Sequence, residues 1–187
     1  MIYPQKINSK KGDKIVYSLI VTSVIIGLIL FIINRLTTPQ VHWAALANCG
    51  IIYTWLTVMY SIKKGTNIAS HVLIQTILVS IVLLYIDKTI GYYGWSVYIG
   101  IPITLIVANV TMVVLTIISY KKYIKYAIYQ LMIVLISLMP IVLVVKHIIE
   151  MKTLIRIAVD ISVISLVISL VFGFRDIKEA MIRKLHM

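Results

Sequence analysis

Long apolar stretches alternate with short polar connections along this chain. Six stretches are long enough, as α-helices, to cross the ~30 Å hydrocarbon core of a membrane. These predicted spans lie near residues 15–36, 41–62, 68–86, 97–119, 124–145 and 153–174. Because the connections are short, consecutive helices must pack as antiparallel neighbours. The pattern predicts an all-α fold: an integral membrane bundle of six transmembrane helices with up-down topology, forming a single transmembrane domain over residues 1–187.

Composition excludes a soluble protein. Of the 187 residues, 61% are hydrophobic and 13% are charged, and the mean hydropathy is +1.03. Soluble domains are closer to one half apolar. The net charge of +12 is spread over the connections and is not gathered into one stripe, which argues against nucleic acid as a partner. Attraction to anionic headgroups of membrane lipids explains the charge more simply.

The distribution of basic residues predicts the orientation. Thirteen of the 18 lysines and arginines fall in the N-terminal tail, the second and fourth connections and the C-terminal tail. Basic residues beside spans are retained on the cytoplasmic side. We therefore expect both termini to be cytoplasmic, in a multi-pass protein of the bacterial plasma membrane.

The C-terminal tail, residues 175–187, has an amphipathic pattern. Ile177, Met181 and Leu185, with Ala180, fall on one helical face, against Lys178, Arg183 and Lys184. This pattern predicts a short helix on the inner leaflet. Docking of a cytoplasmic protein partner is the alternative.

Helix six separates small residues from charges. At 100° per residue, Arg156 and Asp160 lie roughly opposite a side made of Ser162, Ser165, Ser169 and Gly173. The small side permits close approach of a neighbouring helix. An ionisable group at Asp160 is costly in lipid, so it should face the bundle interior, a partner or water. Two interpretations remain open: an ion pair that fixes helix packing, or a site for a substrate or lipid headgroup.

The segment YIDKTIGYYGWSVYIGIP (85–102) forms the predicted outer hairpin between helices three and four. Asp87 and Lys88 are expected to end helix three at the water boundary, while glycines make the turn and Trp95 anchors at the interface. The hairpin is expected to fold over an outward-facing polar cavity. The candidate binding residues of this cavity and lid are Asn48, Asp87, Trp95, Asn109, Arg156 and Asp160.

No catalytic or cofactor motif is present. The sequence lacks nucleophile-elbow, zincin, Walker and dinucleotide-binding patterns. The single Cys49 and the scattered histidines make a poor metal site. We therefore expect no catalytic residues, no metal site and no cofactor.

Several segments resemble a known family. They are YPQKINSKKG (3–12), NRLTTPQVHW (34–43), GIIYTWLTV (50–58), HVLIQTILVSIVLLYID (71–87) and GYYGWSVYIGIP (91–102). The chain resembles small multi-pass membrane proteins, mainly of Gram-positive bacteria, that are known only as a domain of unknown function. The resemblance covers nearly the whole chain and implies a six-helix membrane architecture, but no activity.

Three functions compete. The first is a non-enzymatic membrane subunit that anchors or positions a partner protein. The second is a binder or translocator of a lipid or small amphiphile through the outward-facing cavity. The third is an enzyme of the outer leaflet. A membrane protein partner, a cytoplasmic one and a homo-oligomer all fit the small-residue faces and the tail.

Overall fold

Six α-helices make up most of the described chain, residues 9–62, 67–118 and 123–185 of a computed structural model. They are α1 (Ser9–Thr37), α2 (Trp43–Ile62), α3 (Ile68–Ile90), α4 (Ile101–Ile118), α5 (Tyr123–Val145) and α6 (Thr153–Leu185). A π-helical turn, Ser96–Gly100, leads directly into α4. All six are long and apolar enough to cross a membrane, so that prediction is confirmed. The up-down topology and the positions of the termini stay predictions.

The chain comprises two compact units, Met1–Ile62 and Lys63–Met187. The first contains α1 and α2, and the second contains α3 to α6. The single transmembrane domain over residues 1–187 stays a prediction.

In the first unit, Asn34 holds the turn between α1 and α2. Its Nδ2 donates to the carbonyl oxygens of Thr38 (2.8 Å) and Val41 (2.7 Å), and its Oδ1 accepts from the Ala44 backbone N–H (3.2 Å). The Trp43 indole N–H donates to the Thr38 hydroxyl oxygen at 2.9 Å. One amide side chain therefore satisfies backbone groups at the end of α1, in the turn and at the start of α2.

In the second unit, α4 packs against α3, α5 and α6. The core combines small and large apolar side chains from three helices: Ala69, Leu73, Ala108, Met112 and Ile133. Ala69 on α3 and Ala108 on α4 are small, so these two helices can approach closely. In a membrane the lipid is as apolar as the side chains, and helices therefore associate through such close packing.

The two sides of α6 differ as the sequence predicts. Ser162 and Ser165 are buried, with Ile155 and Ala158 on the same side of the helix. Arg156 and Asp160 lie on the other side and are exposed. Of the three environments expected for Asp160, the structure therefore excludes the interior of the second unit.

The predicted end of helix three is wrong. The helix does not stop at residue 86 but continues to Ile90, and the Asp87 side chain is completely buried. The reason is that the Asp87 side chain finds hydrogen-bond donors in the following turn, so its carboxylate can be buried without losing its partners.

Helix α6 extends through the tail without a break to Leu185. Residues 175–185 are therefore helical as a continuation of α6 and not as a separate short helix. The side chains of the predicted amphipathic face lie outside the described residues, and its position on a membrane stays a prediction.

Candidate functional site

Asp87 organises the turn between α3 and α4. Its Oδ1 accepts from the Tyr93 backbone N–H (3.0 Å), and its Oδ2 accepts from the Ser96 N–H (3.2 Å) and the Ser96 hydroxyl (2.7 Å). Asp87 and Ser96 are both 0% exposed. A carboxylate at the start of a helical segment satisfies free N–H groups and interacts favourably with the helix dipole. Asp87 thus acts as a cap for the segment that leads into α4.

The backbone of this turn requires unusual dihedral angles. Gly91 has φ +124°, Tyr92 has φ +57° and Gly94 has φ +77°. The Tyr92 N–H donates to the Asp87 carbonyl oxygen at 2.7 Å, which is the closing bond of a Schellman motif. The two glycines accept positive φ without the cost of a side chain, and this explains why the segment is rich in glycine.

Trp95 packs at the junction of α3 and α4. A β-carbon at Gly100 would lie 3.4 Å from the Trp95 ring and 3.0 Å from a methyl group of Leu83. The absence of a side chain at Gly100 therefore lets the indole and Leu83 come close together. Trp95 is half-buried in this position, and its role as a lid stays a prediction.

Tyr98 connects this turn to the α5–α6 connection. The Lys152 Nζ lies 3.9 Å from the centroid of the Tyr98 ring, and the Glu150 backbone N–H donates to the Tyr98 hydroxyl oxygen at 3.5 Å. A cation over an aromatic ring contributes about 0.5–1 kcal/mol at a solvated position. We call this end of the second unit, formed by residues 91–98 and 146–152, the hairpin end.

Asn109 lies fully buried in α4. Its Nδ2 donates to the Ser137 hydroxyl oxygen on α5 (2.7 Å) and to the Leu105 carbonyl oxygen (2.9 Å). Its Oδ1 accepts no hydrogen bond from the described residues. Asn109 therefore cross-links α4 to α5 and keeps unused hydrogen-bonding capacity inside the unit.

Gln130 forms a second buried polar cluster that sequence reasoning missed. Its Oε1 accepts from the Thr116 hydroxyl on α4 (3.0 Å), and its Nε2 donates to the carbonyl (3.1 Å) and hydroxyl (3.0 Å) oxygens of Ser165 on α6. Gln130 is 0% exposed and joins three helices. The available signal was that Gln130 is the one amide in the sequence of α5.

Asn48 connects the two helices of the first unit. Its Nδ2 donates to the Gly27 carbonyl oxygen on α1 (3.2 Å) and to the Ala44 carbonyl oxygen on its own helix (2.8 Å). Gly27 is buried. The glycine allows the amide to reach the α1 backbone, so Asn48 joins α1 to α2 within this unit.

Replacing Gly27 with alanine is expected to destabilise the first unit by about 1 kcal/mol, because a β-carbon would collide with the Asn48 Oδ1 and displace its hydrogen bond to α1. Gly50→Ala is the matched control, since a β-carbon at Gly50 meets no atom within 4 Å and alanine favours the helix. The melting temperatures of both variants can be measured by thermal unfolding in detergent. In a Trp95→Phe background, the fluorescence of Trp43 and Trp55 reports unfolding of the first unit alone. Equal melting temperatures for the two variants would contradict the proposed packing.

The candidate residues of the second unit occupy three places. Asp87 and Trp95 share the turn at the hairpin end, Asn109 lies in the interior, and Arg156 and Asp160 lie on the exposed side of α6. Among the described residues, no hydrogen bond or ion pair joins these places, and no three metal-ligating side chains converge. The structure therefore resolves the candidate list of the second unit into a cap, an interhelical cross-link and an exposed pair of charges.

Comparison with known proteins identifies a family but no activity. A family model described as a family of unknown function (DUF6320) matches residues 3–187. Neither a curated protein nor a solved structure matches the chain. The match agrees with the resemblance seen in the sequence.

Proposed function

The chain belongs to the DUF6320 family, whose function is unknown, and we propose that it is a non-enzymatic membrane subunit that positions a partner membrane protein. The observation that carries this proposal is the exposure of Arg156 and Asp160 on a helix long and apolar enough to span a membrane. The proposal places the protein in a bacterial plasma membrane with both termini cytoplasmic, which the asymmetry of its basic residues supports.

Asp160 supplies the driving force for docking. It lies seven residues from the start of α6, about 10 Å along the helix at ~1.5 Å per residue. Its neighbours on the same exposed face, Ile157, Ile164 and Val167, are apolar. A carboxylate facing lipid costs about 3 kcal/mol or more at the centre of a membrane helix. A partner that supplies a cation at this depth would remove much of that cost.

The charges of Arg156 and Asp160 stabilise each other only weakly within α6. Arg156 and Asp160 are spaced i to i+4, but the base precedes the acid, which is the less favourable order for the helix dipole. Within the described part of the chain, no ion pair links Arg156 to Asp160. This leaves both side chains available to a partner.

The charge pattern favours a different protein over a second copy. A twofold axis along the membrane normal would place each Arg156 at the same depth as its symmetry mate, and each Asp160 likewise. Like charges would then face one another. A different membrane protein can carry a lysine or arginine at the depth of Asp160, and this is the partner that we propose.

The other two functions have weaker support. A polar cavity shared by Asn109, Arg156 and Asp160 has little geometric basis, since Asn109 is 0% exposed and both charged residues are on the outside of α6. For an outer-leaflet enzyme, Asp87 is a poor acid or base, because its carboxylate accepts three hydrogen bonds from its own turn.

Asp160→Ala is expected to lower recovery of the partner about tenfold, equivalent to ~1.4 kcal/mol of binding free energy. The partner would be captured by a photo-crosslinking residue at Ile164, on the same face of α6, and quantified by mass spectrometry. Glu150→Ala is the matched control, because it removes an exposed acid just before the same helix. Asp160→Lys should abolish recovery of the partner, and replacing the partner's basic residue with aspartate should restore it.

Three results would contradict the proposal. They are equal recovery with Asp160→Ala and Glu150→Ala, a cross-link confined to one chain, and a cross-linked product consisting of two copies of this chain.

A further inference from the structure

A groove runs between α3 and α4 in the second unit. Its volume is about 430 Å³, within the ~300–1,000 Å³ range of ligand sites. Val72 and Val79 on α3 and Ile103 and Val107 on α4 provide apolar wall. Nothing described above assigns this groove a role.

The threonines in the groove do not make it polar. The hydroxyls of Thr76, Thr104 and Thr111 donate to carbonyl oxygens one turn earlier in their own helices, at 2.7, 2.9 and 2.7 Å. Because these hydroxyls are already hydrogen-bonded, the threonine methyl groups contribute to the apolar surface of the groove. Apart from His71 and Gln75, the wall therefore suits a hydrocarbon ligand.

The dimensions match one lipid chain. The lining of α3 extends from Ile68 to Val79, about 16 Å at ~1.5 Å per residue. This is close to one leaflet of the ~30 Å hydrocarbon core.

The end of the groove near the start of α3 is suited to a negative headgroup. His71 lines the groove in the first turn of α3, and Thr111 lines it in the second half of α4. By sequence, the connections that precede α3 and follow α4 carry Lys63, Lys64, Lys121 and Lys122 and no acidic residue. Clusters of lysine beside membrane helices attract anionic lipid headgroups.

We infer that the α3–α4 groove binds one acyl chain of an anionic phospholipid whose headgroup lies at the His71 end. A hydrocarbon chain gains no hydrophobic free energy by leaving the bilayer, so packing in the groove and charge at the headgroup must both contribute. Val107→Trp should therefore weaken retention by filling the groove, and loss of the lysines should remove the preference for anionic lipid. The site is distinct from the α6 face, and its test requires no protein partner.

The test uses the full chain purified in mild detergent and equilibrated with vesicles of equal parts phosphatidylglycerol and phosphatidylcholine. Native mass spectrometry then counts the lipids retained. The unsubstituted chain should retain one phosphatidylglycerol at least fivefold more often than one phosphatidylcholine. Val107→Trp should reduce that retention at least fivefold, whereas Val110→Trp should not, because Val110 is similarly exposed on α4 but does not line the groove.

Two further variants distinguish the contribution of the lipid acyl chain from that of the lipid headgroup. Val79→Phe fills the groove from α3 and should reproduce the effect of Val107→Trp. Replacing Lys63, Lys64, Lys121 and Lys122 with glutamine should make retention of the two lipids equal. Equal retention by the Val107→Trp and Val110→Trp variants would overturn the inference, as would retention of both lipids equally by the unsubstituted chain.

Discussion

Asp87→Ala is expected to lower the free energy of unfolding of the second unit by about 4 kcal/mol, the largest effect that we predict for a single substitution. The carboxylate is completely buried and accepts from two backbone N–H groups and one hydroxyl. Alanine would leave all three donors without their partner, at about 1–2 kcal/mol each. Water cannot easily replace the carboxylate, since Ser96 is also buried.

Trp95 allows the effect to be measured in the second unit alone. The chain contains three tryptophans, so replacing Trp43 and Trp55 with phenylalanine leaves Trp95, eight residues from Asp87, as the fluorescent probe. Denaturant titration in detergent then gives the free energy of unfolding. Lys88→Ala is the matched control, because Lys88 is the exposed neighbour on the same helix. Ser96→Ala should cost about 1 kcal/mol, because one hydrogen bond is lost.

This measurement also separates a cap from a binding site. A cap predicts a large loss of stability and no specific effect on lipid or partner binding in the fraction that remains folded. A change of less than about 1 kcal/mol for Asp87→Ala would contradict the cap, and Asp87 would then have to be considered again as part of a lid.

The spans were predictable because a membrane imposes one length and one composition on every helix that crosses it. The predicted span 41–62 ends where α2 ends, and the predicted span 153–174 begins where α6 begins. The two sides of α6 were also predictable, because the burial of Ser162 and Ser165 follows from the 100° spacing of small residues.

Hydrogen-bond partners on different helices were not predictable from this periodicity. Helical periodicity gives the side of a helix on which Gln130 lies, but not that Thr116 and Ser165 lie at the same level on two other helices. Asp87 was misinterpreted because a charged residue near the end of an apolar span is normally solvated. The donors that make its burial possible belong to Tyr93 and Ser96, six and nine residues later.

The structure gives a physical reason for the aspartate, the glycines and the serine of the segment YIDKTIGYYGWSVYIGIP. Asp87 and Ser96 are the two ends of a buried hydrogen bond, and Gly91 and Gly94 occupy backbone conformations that favour glycine. The pattern thus specifies the geometry of a turn. A binding role is better sought at the α6 face and in the α3–α4 groove, where side chains are accessible.

Gln130→Leu is expected to destabilise the second unit by about 2 kcal/mol, the second largest effect that we predict. The substitution replaces the amide with an apolar side chain of roughly similar volume and removes the hydrogen bonds to Thr116 and Ser165. Interhelical hydrogen bonds in membrane proteins contribute about 0.6 kcal/mol on average and up to about 1.7. Three such bonds at one buried residue give the expected value. Met132→Leu, an exposed substitution on the same helix, should have no measurable effect.

A double-mutant cycle with Ser165→Ala distinguishes lost hydrogen bonds from altered packing. If Gln130 acts through the Ser165 hydroxyl, the two substitutions together should cost about 0.6 kcal/mol less than the sum of the single costs. The reason is that the hydrogen bond to this hydroxyl can be lost only once, whereas the bond to the Ser165 carbonyl oxygen does not depend on the serine side chain. Simple additivity would show that the two side chains contribute independently. The buried polar cluster would then fill space between α4, α5 and α6 without holding them in register, and the same Trp95 probe reports all four proteins of the cycle.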